Sequence, residues 1–405
     1  MYLHRMVRDF CMTLIATTGL VVGMCWPWAE ACAQCDGQRY RYRIFDEVEV
    51  TSDVLYGSNI GASGVNEELF MDVYRPLGDT HTSRPVVVLA HGGFFLAGSK
   101  DGTDVVPLCE DLARMGYVAV SISYRLGIDD LFSLEVSLLE AVMRGVQDAK
   151  GAIRHLRKSN AEQGNPWGID PSRVVLGGSS AGAFIALHSA YIDDLGEVPD
   201  AIDLNQPGLQ GGVEGLSGSP GYSSDVLSIV NLCGAMGDSD WMEAGDPPLV
   251  SVHGTADETV PFGTGFVQLL GLPVSHVDGS WPVHLQAESL DLDHAITLLE
   301  GEGHVPHMSD AGAYDVTRAA VTSFTSRQVC PSYPEISDYY DVDAPPAVGC
   351  VGDIVANGSV GVEDLLLLLS EFGCTAGCEG DVDGDGAVSV ADVLALLGVF
   401  GTPCL

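Results

Sequence analysis

Between residues 41 and 329, short apolar runs alternate with stretches whose apolar residues recur at helical spacing. Arg41–Val50 and Glu67–Tyr74 alternate polar and apolar residues, which predicts early strands with one wet face. Pro85–Ala90 is continuously apolar, as a strand covered on both faces would be, and Tyr117–Ser123 is the next buried strand. Between them Val105–Met115 has helical spacing and stops at Gly116. Leu134–Ser159 predicts a longer helix with basic residues near its C-terminal end, where they suit the helix dipole. Arg173–Leu176 predicts another buried strand, and Asp225–Cys233, Pro248–His253 and Ala295–Leu299 predict three more. The alternation predicts an α/β fold: a mostly parallel sheet with helices on both faces. Asp193–Ser224, rich in Gly, Pro, Ser and Asp, suits either a pocket wall or lid or a plain surface loop.

The pattern changes after Arg327, the last basic residue. Residues 331–349 are acidic and Pro/Tyr-rich without periodicity, and predict a linker. Residues 350–405 repeat internally with a period of twenty-eight: Gly352-Asp353 recurs at Gly380-Asp381, Val360 at Val388, Asp364 at Asp392, and Phe372-Gly373 at Phe400-Gly401. Each unit reads as a loop followed by a short leucine-rich helix, and two such units must pack together to cover an apolar face. At the other end, Arg5 and Arg8 precede the apolar run Cys11–Val22, with small residues at Ala29, Ala31 and Ala33. This is the layout of a secretory signal, removed on export. The apolar run is short and Trp26-Pro27-Trp28 interrupts it, which argues against a transmembrane anchor. The expected organisation is a signal over 1–33, an α/β domain over 34–330, a linker over 331–349 and a small helical repeat domain over 350–405. The expected location is extracellular or periplasmic.

Charge narrows the partners. With 18 basic against 56 acidic residues the net charge is −38, which argues against nucleic acid or an anionic membrane surface. Cysteine usage agrees with export. Cys330, Cys350, Cys374, Cys378 and Cys404 cluster late, where disulfides would staple a small module. Cys109 and Cys233 sit in apolar surroundings and read as buried thiols.

Chemistry concentrates at Gly178-Ser179-Ser180-Ala181-Gly182, between the strand Arg173–Leu176 and the apolar helix start Ala183–His188. A serine on so sharp a strand-to-helix turn needs small neighbours, and the helix N-terminus favours developing negative charge there. Ser180 is therefore the candidate nucleophile. His91-Gly92-Gly93-Phe94-Phe95 directly follows the buried strand Pro85–Ala90; the N–H groups of Gly93, Phe94 and Ala181 are candidate oxyanion donors. Asp257, on the turn after Pro248–His253, is the candidate orienting carboxylate, with Glu258 as its rival. His304, framed by glycines after Ala295–Leu299, is the candidate base. His307 is its rival, and His253, His276, His284 and His294 fit less well. The order Ser, Asp, His, each just after a strand, is the order of one hydrolase architecture.

From about Val86 to His304 the chain resembles the α/β-hydrolases of the carboxylesterase and feruloyl/acetyl-esterase-like group. The motifs that carry the resemblance are His91-Gly92-Gly93-Phe94, Ser123-Tyr124-Arg125-Leu126, Gly177–Gly182, His253-Gly254-Thr255-Ala256-Asp257 and Gly303-His304. Phe94 departs from the third glycine of the fuller H-G-G-G form. The resemblance implies two-step acyl transfer to an ester substrate with no cofactor for catalysis. It leaves open a polysaccharide-directed esterase, feruloyl or acetyl-xylan, and a catalytically silent adhesion protein of the same fold.

The tail suggests separate chemistry. Asp381, Asp383, Asp385, Gly386 and Asp392 fill positions 1, 3, 5, 6 and 12 of a calcium loop, with the Ala387 carbonyl at 7. In the first copy Asp353, Asn357, Ser359 and Asp364 remain, but Val355 stands where a ligand belongs, so that site should be weaker. Asp at position 12 resembles the duplicated loop-helix of a type I dockerin, which implies a cohesin-like or cell-surface partner. Cys350 with Cys374 and Cys378 with Cys404 bracket the copies and suggest one disulfide per unit, the other pairings remaining open.

Overall fold

The computed structural model describes residues 35–334, apart from 129, 131 and 132, and, in the tail, 352, 354–355, 360–374, 378, 380–382, 387–398 and 400. The expected signal and most of the expected linker lie outside the described residues. Eight strands form one sheet: β1 (Val48–Ile60), β2 (Asn66–Pro76), β3 (Arg84–Ala90), β4 (Val118–Ile122), β5 (Ile169–Ser179), β6 (Ser228–Leu232), β8 (Leu249–Gly254) and β11 (His294–Leu299). Their order is β1-β2-β4-β3-β5-β6-β8-β11, with β2 antiparallel to both neighbours and the remainder parallel. This is the α/β-hydrolase arrangement.

The continuous apolar strands explain the two layers around the sheet. Along β3, Val86, Val88 and Ala90 enter one core with helices α2 (Leu134–Glu162) and α3 (Ala181–Tyr191). Val87 and Leu89 point the opposite way, into a second core with α1 (Val106–Arg114) and α5 (Ala311–Val329). Successive strand side chains face opposite sides, so a strand covered on both must be apolar throughout. Among the described residues no helix is long and apolar enough to cross a membrane.

Three expectations need correction. The first strand does not cover Arg41–Val50; β1 starts at Val48 and continues to Ile60. Tyr40–Tyr42 are buried instead, with the Arg41 guanidinium bonded to Ser326 Oγ and Tyr40 packed on Tyr117, so tertiary contacts override the alternating pattern. Cys330 does not staple the tail but pairs with Cys35, fastening the end of α5 to the start of the domain. In the tail Cys374 pairs with Cys378, not with Cys350. The two cysteines stand four residues apart in the sequence; Cys350 and Cys404 lie outside the described residues. Cys109 and Cys233 are buried free thiols.

A second sheet went unforeseen: β7 (Ala235–Met236), β9 (Thr264–Leu269) and β10 (Leu272–Gly279), in the order β7-β10-β9, followed at once by α4 (Ser280–Ser289). In the tail, α6 (Val362–Ser370) and α7 (Val390–Gly398) repeat at the expected period. Val360, Leu368, Val388 and Leu396, two from each copy, form their common core.

Candidate active site

The turn after β5 holds Ser180 at φ 52° and ψ −115°, a conformation disfavoured for a residue with a Cβ. Its neighbours show why glycine is needed. A Cβ on Gly178 would lie 2.3 Å from the Gly182 carbonyl carbon, and one on Gly182 would lie 2.0 Å from the Ala90 oxygen. The Ser180 N–H bonds to Leu232 O at the end of β6, which anchors the strained residue from below.

Two loops bring the partners to it. Thr255 N bonds to Leu299 O and Ala256 N to Glu302 O, so the turns after β8 and β11 are laced together. They place His304 Nε2 2.7 Å from Ser180 Oγ and His304 Nδ1 2.6 Å from Asp257 Oδ2. A carboxylate only accepts, so Nδ1 carries the hydrogen and Nε2 turns its lone pair toward the Ser180 hydroxyl. Asp257 Oδ1 accepts the N–H groups of Thr259 and Val260. Burial alone would raise this carboxyl, but hydrogen bonds from His253 and His304, the His304 charge and the Val260 N–H hold it well below the usual carboxylate range.

The rivals fall elsewhere. Glu258 is exposed, whereas the Asp257 side chain is fully covered. His307 faces Ser179 Oγ at 3.3 Å, and burial pushes its pKa down to about 4. His284 and His294 pair with each other, and His276 packs edge-on against Phe266. His253, which fitted less well in the sequence, contacts Asp257 Oδ2 at 3.3 Å.

The Gly92-Gly93 loop is also fixed. Asp104 Oδ2 accepts the Gly92 N–H at 2.6 Å, and Tyr124 OH donates to His91 O at 2.9 Å. Gly92 is thus occupied, whereas the N–H groups of Gly93, Phe94 and Ala181 make no hydrogen bond to another described residue. Phe94 sits at φ 56° and Phe95 at φ 58°. The loop therefore keeps a path that glycine favours although Phe94 stands where the third glycine would be. Asp104 had no sequence signal.

Against Ser180 lies an almost wholly apolar cavity, lined among others by Phe94, Leu138, Val142, Phe184 and Trp241. Pro199 and Ile202 also line it, so Asp193–Ser224 is a pocket wall rather than a plain surface loop. Arg125 fastens that wall. It pairs with Asp148, both fully buried, and donates to Ile60 O and Gly208 O.

In the tail, Asp364 accepts Val355 N and Gly361 N, and Asp392 accepts Val382 N and Ser389 N. Both carboxylates, in the first turns of α6 and α7, are fully buried. Asp381 and Ala387 are described. Asp353, Asn357, Ser359, Asp383, Asp385 and Gly386 lie outside the described residues.

The fold is that of the α/β-hydrolases, and the site joins a serine, a histidine and an aspartate at the ends of three of its strands. The family described as BD-FAE matches residues 71–210, which include the Gly92-Gly93 loop and Ser180 but not Asp257 or His304. Carboxylesterase 3B of Mus musculus is 36% identical over 118 residues, covering 29% of this chain and 19% of that protein. The non-reducing polyketide synthase atr1 of Stereocaulon alpinum is 29% identical over 166 residues, covering 40% of this chain and 6% of that protein. The chain thus spans well under two thirds of the length of these curated relatives. Among solved structures, Thermogutta terrifontis esterase 2 phosphorylated by paraoxon has a TM-score of 0.48 and 23% identity, covering 70% of this chain and 94% of that one.

Proposed function

We propose that the protein is an exported serine carboxylic-ester hydrolase that works through an acyl-enzyme. The observation that carries this is the hydrogen-bonded series Ser180 Oγ, His304 and Asp257, beside the N–H groups of Gly93, Phe94 and Ala181, which bond to no other described residue. His304 Nε2 takes the Ser180 proton as Oγ attacks the ester carbonyl, and Asp257 stabilises the imidazolium. The N–H groups receive the oxyanion. His304 then returns the proton to the leaving alcohol, and water, deprotonated by the same imidazole, releases the acid and restores Ser180. A catalytically silent adhesion role is disfavoured by the complete set of partners. The apolar lining of the cavity favours esters with a bulky apolar or aromatic group over acetyl esters.

Export is supported by the Cys35–Cys330 disulfide. For the tail, Asp381, Asp383, Asp385, Asp392 and the Ala387 carbonyl form a set of hard oxygen donors that suits Ca²⁺. The ion would tie the loop to the start of α7. A cohesin-like or cell-surface partner is supported by the duplicated apolar residues left outside the tail core, Val362 and Leu366 in one copy, Val390 and Leu394 in the other.

Ser180→Ala should lower hydrolysis of p-nitrophenyl butyrate by about 10⁴-fold or more while leaving the fold intact. It should also abolish labelling by a fluorophosphonate. Retained activity in the variant would overturn the assignment. Methyl ferulate and acetylated xylan tried alongside would rank the acyl groups.

A further inference from the structure

A buried polar chain continues from Asp257 away from Ser180, through groups the proposed reaction does not use. His253, near the end of β8, places Nε2 3.3 Å from Asp257 Oδ2 and 3.2 Å from Val260 O. Both partners only accept, so Nε2 carries the hydrogen. Its Nδ1 lies 2.7 Å from Ser280 Oγ. Asn231 Nδ2 lies 3.0 Å from Ser280 Oγ and 2.8 Å from Ser251 Oγ, and Asn231 Oδ1 accepts the Gly234 N–H, which fixes the amide orientation. Ser251 Oγ lies 2.7 Å from His284 Nε2, and His284 Nδ1 lies 2.9 Å from His294 Nδ1.

These contacts have one consistent set of directions. The Asn231 amide donates to both serines; Ser280 then donates to His253 Nδ1, leaving its Nε2–H to Val260 O and Asp257. On the other branch Ser251 donates to His284 Nε2, whose Nδ1–H goes to His294. Burial, with His294 beside it, pushes the His284 pKa down to about 3, in keeping with the single hydrogen this requires. His253, Asn231, Ser251 and Ser280 are all completely buried. A core built this way is costlier than an apolar one unless every member is satisfied. The branch at Asn231 also stops it from acting as a through-going proton wire.

We propose that His253 is a positioning residue for the Ser180–His304–Asp257 site, its tautomer set by Asn231 through Ser280. This rests on the reading of Ser180 as nucleophile. The His253 Nε2–H is shared between Val260 O and the same Asp257 oxygen that His304 uses, while the N–H groups of Thr259 and Val260 hold the other oxygen. The carboxylate is then restrained in plane and in rotation, and its remaining lone pair faces His304 Nδ1. The other ionisable group near Asp257 is the Cys233 thiol. Burial, with Asp257 beside it, pushes that thiol up to about 12, so it stays neutral across the working range.

The test compares His253→Phe, which removes the donor, with His253→Gln, whose amide nitrogen can stand in for Nε2, in the full-length protein. His253→Phe should lower kcat on p-nitrophenyl butyrate about 10- to 100-fold with KM within about twofold. It should also move the acid limb of the kcat/KM profile upward, because Asp257, relieved of one donor, interacts more strongly with the His304 imidazolium. His253→Gln should restore most of kcat and return the limb. Ser280→Ala should shift the limb in the same direction with only a few-fold loss of kcat. Wild-type kcat and pH profile in folded His253→Phe would overturn the proposal, as would loss of stability with no rescue by Gln and no shift of the limb in Ser280→Ala. Activity surviving in Ser180→Ala would instead overturn the underlying esterase reading, so the two failures are distinguishable.

Discussion

Around Ser180, glycines stand where no side chain fits; in the tail, Gly361 and Gly398 have no described residue against them. A Cβ on Gly182 would strike the Ala90 carbonyl at 2.0 Å, whereas one on Gly361 or Gly398 would meet no described residue within 4 Å. The helices differ in the same way. Nearly every residue of α3 is buried, while α6 buries only Asp364 and Leu368 and leaves Val362, Leu366 and Leu369 outside. The hydrolase region builds its chemistry inward, where backbone placement to within a fraction of an ångström decides what reacts. The tail turns apolar side chains outward, and at Gly361 and Gly398 its described backbone has room for a side chain.

The largest effect that would test this contrast is Gly182→Ala. The new methyl meets a strand carbonyl that cannot move without disturbing β3, so stability should fall by more than about 3 kcal/mol. Ester hydrolysis should fall by at least about 10²-fold, because the Ser180 turn moves with it. Gly361→Ala should change stability by less than about 1 kcal/mol and activity not at all. Thermal unfolding and kcat of the two variants, side by side, check both. A well-folded, active Gly182→Ala protein would remove the backbone argument.

The buried acids sharpen the comparison further. Asp148, in the hydrolase region, is neutralised by Arg125. Asp364 and Asp392 in the tail each accept two backbone N–H groups, and no Lys or Arg follows Arg327 in the sequence. A bound Ca²⁺ is the proposed counter-charge there. Chelation by EGTA should therefore unfold α7 at lower temperature, seen as a separate early transition, and leave ester hydrolysis within about twofold. Simultaneous loss of both would show that the regions are energetically coupled. Indifference of the tail to chelation and to added Ca²⁺ would remove the calcium assignment.

What could be read from the sequence follows the same divide. Buried parallel strands announce themselves as unbroken apolar runs, so Pro85–Ala90 and Pro248–His253 were legible within a residue or two. The candidates Ser180, Asp257 and His304, each placed just after a strand, come together in the structure, although β11, which precedes His304, is a half-exposed edge strand. The β9–β10 hairpin was not legible, since Thr264–Leu269 is mostly half-exposed and its composition does not separate it from a loop. His253, near the end of β8, has nothing in its spacing that separates it from a core histidine. Its partners Asn231, Ser251 and Ser280 come from three separate elements that only the fold assembles. Cys35 with Cys330 is a pairing across 295 residues, and no spacing rule reaches that far. In the tail, the repeat revealed the helices but not which leucines they bury, because a helix apolar on several sides has no unique inner face.

The smallest effect concerns acid, and it belongs to the hydrolase region because no histidine follows His307. His188, beside the apolar cavity, lies with Nδ1 2.7 Å from Phe184 O and accepts the Gly237 N–H at Nε2. Burial pushes its pKa down to about 4. In the unfolded chain the imidazole takes up a proton near pH 6.5, whereas in the folded protein it stays neutral until about pH 4. Above pH 6.5 both states are neutral and the group contributes nothing. Between these values the unfolded state binds more protons, so stability falls as pH falls. At pH 5 the loss should be about 2 kcal/mol. The whole-chain charge of −38 works the other way, since protonating carboxylates relieves self-repulsion, but that contribution is shared by any variant. His188→Gln keeps the charge pattern and removes the titration. On moving from pH 7.5 to pH 5 in urea titrations, the natural protein should lose about 2 kcal/mol more than this variant; equal losses would mean that His188 is protonated, or solvated, in the folded state.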